Sequence, residues 1–270
     1  MSKIKKIGQQ IFDLPSLGLY CQGVNLKNTI KGRNLRVKPV RPDGLYQADD
    51  GSDAITLCRR GRHKRYKHGV ATGLDRLSRQ YHLDTLGGKN IKPGGVFIDC
   101  GANIGELGYW AKSNGLGYVA IEPEKLEADC CDLNNYDGKP ETHRLALWKE
   151  DTTLEFFSMP ETADSSVFDM GSNIKIEIPA VALDNLVDLS GSKGTNIFKL
   201  EAEGAEPEVL EGAVKTLEKV DYVAVDCGYE RGKEQTHTFI EVNQFLTQRG
   251  FEPIEADFHR VTLLYRNGNR

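Results

Sequence analysis

Asp99 stands at the tip of an apolar run, Val96-Phe97-Ile98, and two glycines follow it at Gly101 and Gly105. An acid, a glycine turn and then an amphipathic stretch form the strand–turn–helix unit with which open α/β sheets hold a phosphate or a cofactor. Dinucleotide sites space their glycines Gly-x-Gly-x-x-Gly, so that a pyrophosphate rests on a helix N-terminus. Here the spacing is Gly-x-x-x-Gly, and an acid at the strand tip would repel a pyrophosphate. It suits a ligand that carries positive charge, such as the ammonium or sulfonium group of S-adenosylmethionine. The turn therefore points to methyl transfer rather than hydride transfer.

Glu122 ends the next apolar stretch, about 20 residues after the turn, where a carboxylate can accept both hydroxyls of a ribose. A third acid-rich segment, Lys199-Leu-Glu-Ala-Glu-Gly-Ala-Glu-Pro-Glu208, sits where a strand gives way to a helix. Acids in a first helical turn complement the helix dipole, which accounts for Glu206 and Glu208 without a ligand. Glu201 and Glu203 lie at the strand end itself, where open sheets bind their ligands.

These residues need a sheet to hold them. From residue 96 onward, strand and helix patterns alternate: strands over 96–100, 117–122, about 141–147, 196–201 and 222–226, each of the first, second, fourth and fifth leading into an amphipathic helix. A hairpin excursion is expected within 151–181. Two further strands, 251–257 and 260–266, are close enough to pair antiparallel. The expectation is an α/β fold: a doubly wound, seven-stranded, mostly parallel sheet of the Rossmann-like methyltransferase kind with an antiparallel edge strand, spanning 96–270. Before it lies a basic N-terminal extension, residues 1–95, expected to hold a short helix ended by Pro15, turns and short strands over 21–50, a strand at 54–60 and a helix at about 73–86.

The extension is set apart by charge. Residues 1–95 hold 19 Lys and Arg against 7 Asp and Glu, and the first glutamate of the chain is Glu106, although the whole protein has a net charge of −4. Apolar content of 39% and charged content of 27% are those of an ordinary globular chain. No apolar run reaches the roughly 20 residues of a membrane span, and the N-terminus lacks the apolar region of a secretory signal. The six cysteines form no Cys-x-x-Cys pair and read as reduced thiols of a cytoplasmic protein. No ligand spacing calls for a metal.

Together, Asp99-Cys-Gly-Ala-Asn-Ile-Gly-Glu106, Ile121-Glu-Pro123, Lys199-Leu-Glu-Ala-Glu-Gly-Ala-Glu206 and Val209-Leu-x-Gly-Ala213 resemble the FkbM-type methyltransferases, a branch of the S-adenosylmethionine-dependent enzymes. The resemblance spans about residues 65–270. One departure is Glu201, where the family usually has aspartate. The resemblance implies S-adenosylmethionine as cofactor and O-methylation as the outcome. It implies that Asp99, Gly101, Asn103 and Gly105 hold the methionine part and Glu122 the ribose. Leu145, Ala146 and Leu147 would border the adenine, and Glu203 would face the methyl-transfer zone. Ala102, Glu106, Pro123 and Glu201 belong to the same cofactor-binding motifs.

Methyl transfer from a sulfonium is an in-line displacement, to which a protein contributes chiefly alignment. A hydroxyl acceptor must also lose a proton, and a general base assists. The candidates are Glu203, Asp226 at the end of the fifth strand, and His237 at the start of the helix after it. The acceptor is expected to be a hydroxyl of a glycan or small metabolite. The basic run over 59–68 allows an anionic acceptor, or in the alternative reading an RNA gripped through its phosphates.

Overall fold

The computed structural model describes residues 16–87, 90–158, 166–168 and 174–270. Residues 4–12, expected as the first helix, lie outside the described residues. A helix α1 (Leu17–Ile30) starts just after Pro15, with the Ser16 hydroxyl accepting from the Leu19 N–H at 3.2 Å as its N-cap. It occupies a stretch expected to be turns, because its asparagines bind outward rather than breaking the helix. Asn25 exchanges two hydrogen bonds with the backbone of Val37, and the Asn28 amide donates to Leu35 O. The helix is thereby tied to β1 (Arg36–Pro39), the first strand of a small antiparallel sheet with β2 (Tyr46–Asp49) and β3 (Ala54–Leu57).

A 3-10 turn over Arg62–Tyr66 then leads into α2 (Val70–Gln80). The helix expected to run on to about residue 86 stops at Gln80. His82 adopts a left-handed backbone (φ 56°), which breaks the helical path, and Leu83–Leu86 form a separate 3-10 turn.

The central sheet follows. Its first unit is β4 (Val96–Cys100), α3 (Glu106–Ser113), β5 (Gly117–Ile121) and α4 (Lys125–Asn135). An outlying sheet comes next, made of β6 (Ala146–Leu147), β7 (Thr152–Ser158) and β8 (Ile174–Val181), before the short helix α5 (Leu183–Leu186). The chain returns through β9 (Ile197–Leu200), α6 (Glu206–Glu211), α7 (Val214–Leu217), β10 (Tyr222–Asp226), α8 (Phe239–Thr247), β11 (Phe251–Asp257) and β12 (Thr262–Asn267). Spatial order in the central sheet is β11-β12-β10-β9-β4-β5, with β10, β9, β4 and β5 parallel.

Two expectations are corrected here. Among the described residues the central sheet has six strands, not seven. Segment 141–147 meets β5 at one parallel bridge, between Ile121 and His143, and its end β6 pairs with β8 instead. The cause is α4: the Thr142 N–H and hydroxyl both donate to the Asp132 carboxylate, and Arg144 bonds Asp129 and Asp132. These bonds draw the segment off the ladder. The reversed strand β12 also lies one place in from the edge, between β10 and β11, and β11 forms the edge. The expected hairpin within 151–181 is present as antiparallel β7 and β8.

The parallel strands are buried on both faces, as a helix-covered sheet requires; Ile197 to Leu200 are all fully inside. The N-terminal elements share an apolar cluster with the sheet's helices, where Tyr20, Leu45, Tyr46 and Tyr66 pack with Ile104 and Cys130. Asn134 of α4 closes the seam through hydrogen bonds with both backbone groups of Thr56. Among the described residues no helix is long and apolar enough to cross a membrane.

Candidate active site

The C-terminal ends of β4, β5 and β9 open into two adjoining cavities. The first, with about 700 Å³ of empty space, lies over β5 and β6. Glu122, Pro123, Leu145, Ala146, Leu147 and Phe156 line it. The second, about 860 Å³, lies over β4 toward the N-terminal part, walled by Arg62, Arg65, Tyr81, Lys199, Glu230 and Arg260. Gly101, Asn103, Glu201 and Glu203 border both.

Glu122 is built into the floor of the first cavity. Its Oε2 accepts from the Asn103 N–H at 2.8 Å and its Oε1 from the Glu124 N–H at 2.9 Å. Burial outweighs these bonds and pushes its pKa up from 4.5 to about 8. Arg59 lines the same cavity. Its Nη2 pairs with Glu127 at 2.7 Å, but Nε and Nη1 are buried without a hydrogen-bond partner among the described residues.

The Glu122 shift has a consequence for stability. The folded state favours the neutral carboxyl, so this contribution is full below about pH 4.5 and is lost as pH rises through about 8. In Glu122→Gln that loss disappears. The melting temperature of the variant, relative to wild type, should climb steadily from pH 5 to pH 9 as read by circular dichroism. A difference that stays flat over that range would show that Glu122 does not titrate in the fold.

Asp99 is 1% exposed and does not border the first cavity. Lys199, also buried, sets its ammonium 3.1 Å from Asp99 and 3.2 Å from Glu201, and donates to the carbonyls of Cys100 and Gly101 at 2.8 Å each. Burial opposes the ammonium, but the two carboxylates more than offset it and raise its pKa. The Tyr118 hydroxyl donates to the other Asp99 oxygen at 2.7 Å. The strand-tip acid is therefore matched by a cation of this chain. Glu201 remains ionised, because Lys199, Tyr81 and Arg260 together overcome its burial. Asp99 borders the second cavity, and Glu201 and Glu203 border both.

The turn itself is set by two close approaches. Gly101 has φ 71°, and a Cβ there would lie 2.3 Å from Glu201 O. Gly105 has φ 79°, and a Cβ would lie 2.1 Å from Asn135 Nδ2. Gly105 borders neither cavity; a side chain there would meet Asn135 and Cys131 of α4. Ala102 and Glu106 border the second cavity. Glu106 is held there by Arg65 at 2.8 and 3.0 Å and by the Tyr66 hydroxyl.

Of the three expected bases, only Glu203 borders the cavities. It keeps a left-handed backbone (φ 50°), a conformation that costs a non-glycine residue about 1 kcal/mol or more. Asp226 is 1% exposed and bound to Arg260 at 2.8 Å and the Gly228 N–H at 3.0 Å. Its pKa is raised to about 6 by burial, then by Glu201. His237 packs edge-on against Tyr229 and Phe239. Among the described residues, neither Asp226 nor His237 borders these two cavities.

Sequence reasoning missed Glu230. It borders the second cavity, and its Oε2 is buried without a hydrogen-bond partner among the described residues. Burial, then the acids Asp226, Glu201 and Glu206, raise its pKa to about 8 against the pull of Arg260. It stands alone in a loop, with no periodic pattern to mark it. Lys199 did leave a signal: a lysine inside an otherwise apolar strand calls for a buried partner.

With the geometry in place, comparison fixes the class: this is a methyltransferase. Residues 99–253 match the methyltransferase FkbM domain, and the chain belongs to that family. No curated protein matches it significantly. Similar solved structures include a Streptococcus agalactiae protein of the NADB-Rossmann superfamily (9% identity, TM-score 0.41, 72% of this chain and 67% of that one). Another is a Thermoplasma acidophilum protein (11%, TM-score 0.38, 77% and 95%). A third is a Pyrococcus horikoshii protein proposed to be an RNA methyltransferase (13%, TM-score 0.36, 99% and 98%).

Proposed function

We propose that this protein binds S-adenosylmethionine in the first cavity and methylates a hydroxyl of a glycan or small metabolite held in the second. The observation that carries this reading is the shared border, Gly101, Asn103, Glu201 and Glu203, where two cavities of different character meet. The first cavity suits the cofactor in three ways. Glu122 offers a carboxyl, fixed by two backbone N–H groups, to a ribose diol. Leu145, Leu147 and Phe156 offer an apolar berth to a purine. Arg59 offers two buried donors that lack an acceptor among the described residues.

When bound, S-adenosylmethionine supplies an electrophilic methyl group. The residues of this chain do the rest. Glu201 and Glu203 place negative charge at the junction, where a sulfonium would need it. Arg62, Arg65, Gln80 and Glu230 line the second cavity with donors and acceptors suited to the hydroxyls of a polar acceptor. Glu203 and Glu230 are the acids positioned to take the hydroxyl proton. Lys199 holds the ends of β4 and β9 in register by binding Asp99, Glu201 and two carbonyls at once.

Calorimetry with S-adenosylmethionine and its demethylated product tests the reading. Glu122→Ala should weaken binding ten-fold or more, about 1.4 kcal/mol. Equal affinity in variant and wild type, or no binding by either, would refute it.

A further inference from the structure

The N-terminal part holds a second cluster of cations that the active site does not use. Lys27 and Lys31 close α1, Arg33 follows it, and Lys64 and Lys67 come from the 3-10 turn and its cap. They surround two adjoining hollows. Lys27, Arg33 and Lys64 line one, and Lys31, Arg33 and Lys67 are common to both. None of the five is ion-paired among the described residues. By contrast, Arg41, Arg59 and Arg65 of the same part reach Asp129, Glu127 and Glu106. The acid beside the hollows, Asp50, is already occupied by the N–H groups of Ser52, Asp53 and Val70.

Like charges gathered in a concave surface repel one another unless an anion sits among them. These cations also act on one another and on the buried His63. Burial, then Lys31, Lys64 and Arg33, push the Lys27 ammonium down, and burial, then Lys64, Lys27 and Arg33, push His63 down to about 4. We propose that Lys27, Lys31, Arg33, Lys64 and Lys67 form a binding site for a phosphate group, separate from the methyl-transfer cavities. The tyrosines nearby, Tyr20, Tyr46 and Tyr66, are at most 1% exposed, so among the described residues these rings offer bases no platform. The site therefore fits a phosphate monoester or diphosphate better than a nucleic acid strand.

Two sources could present that phosphate: a soluble phosphate-bearing molecule or a phospholipid headgroup. The outer face of α1 distinguishes them. Leu19, Leu26 and Ile30 form an exposed aliphatic stripe there, 45, 64 and 77% exposed, beside Lys27 and Lys31. Such a stripe would enter a lipid interface and would ignore a soluble ion.

The test uses the full chain and inorganic pyrophosphate at low salt, followed by calorimetry. Lys31→Glu/Lys64→Glu should lose at least ten-fold in affinity with its melting temperature unchanged. A control with the same charge change elsewhere, Lys139→Glu/Lys193→Glu, should lose less than two-fold. No pyrophosphate binding, or equal losses in both variants, would overturn the proposal. Vesicles of phosphatidylcholine with and without phosphatidylglycerol form the second arm. Retention on the anionic vesicles that Leu26→Gln/Ile30→Gln abolishes, with pyrophosphate binding intact, assigns the site to a lipid headgroup. Pyrophosphate binding without retention assigns it to a soluble phosphate. A single-stranded RNA that binds far more tightly than pyrophosphate at equal phosphate concentration would replace the proposal with a nucleic-acid surface. S-adenosylmethionine affinity, measured on the same samples, is independent of all these outcomes.

Discussion

Replacing Lys199 with methionine should lower the stability of the fold by about 3–5 kcal/mol, because it leaves buried acids without their cation. Asp99 is 1% exposed, and its charge is balanced by one ammonium at 3.1 Å. Methionine would fill most of the space and keep the apolar stem, so packing is not the main loss. The loss is electrostatic: Asp99, whose pKa burial already raises, must take up a proton or stay charged without its cation, and the carbonyls of Cys100 and Gly101 lose their donor. Glu201 is less affected, since Arg260 stands 3.5 Å from it on the other side. The double variant Asp99→Asn/Lys199→Met removes both charges and should recover at least half of the loss. Urea unfolding of the three proteins decides the matter. A loss below about 1 kcal/mol in Lys199→Met, or no recovery in the double variant, would mean that the pair is not coupled.

This pair also explains where reading the chain succeeded and where it failed. The sequence places the acid at residue 99 near a strand end before a glycine turn, but it does not show that Lys199 will lie against it. Its partner lies a hundred residues later, on a strand that becomes its neighbour only through the parallel crossover. Periodicity reports which face of an element is buried; it does not report which strand lies alongside. The same limit applies to segment 141–147. Its apolar residues fit a sheet strand, yet Thr142 and Arg144 bind acids on α4, and those bonds decide its position. Elements whose signal is local were legible to the residue. The bounds of β10 follow from an apolar run closed by Asp226, and β11 ends at the turn after Asp257. Glu122 was legible as well, because its spacing from the turn is a property of the strand–helix–strand unit. Gly105 was legible as a turn residue, but its reason, the side chain of Asn135, was not.

Glu230→Gln should slow methyl transfer by about 10²–10⁴-fold while S-adenosylmethionine binds as before, if Glu230 receives the proton of the acceptor hydroxyl. Glutamine preserves the shape of the side chain and removes its capacity as a base. The pH profile separates this role from mere positioning. A carboxyl with pKa about 8 is mostly protonated at neutral pH, so the rate of the wild type should rise as pH passes through about 8 and then level off. The groups that face it set this value: Asp226, Glu201 and Glu206 raise it and Arg260 lowers it. In Glu230→Gln the rise should vanish, leaving a flat, slow profile. Glu203→Gln serves as the comparison. If Glu203 is the base instead, Glu203→Gln is the slow variant and Glu230→Gln keeps the wild-type rate. The assay is single-turnover transfer from labelled S-adenosylmethionine to a mixed extract of neutral glycans, at cofactor concentrations that saturate each variant. A Glu230→Gln rate within about three-fold of wild type, with the rise near pH 8 retained, would remove Glu230 from the mechanism.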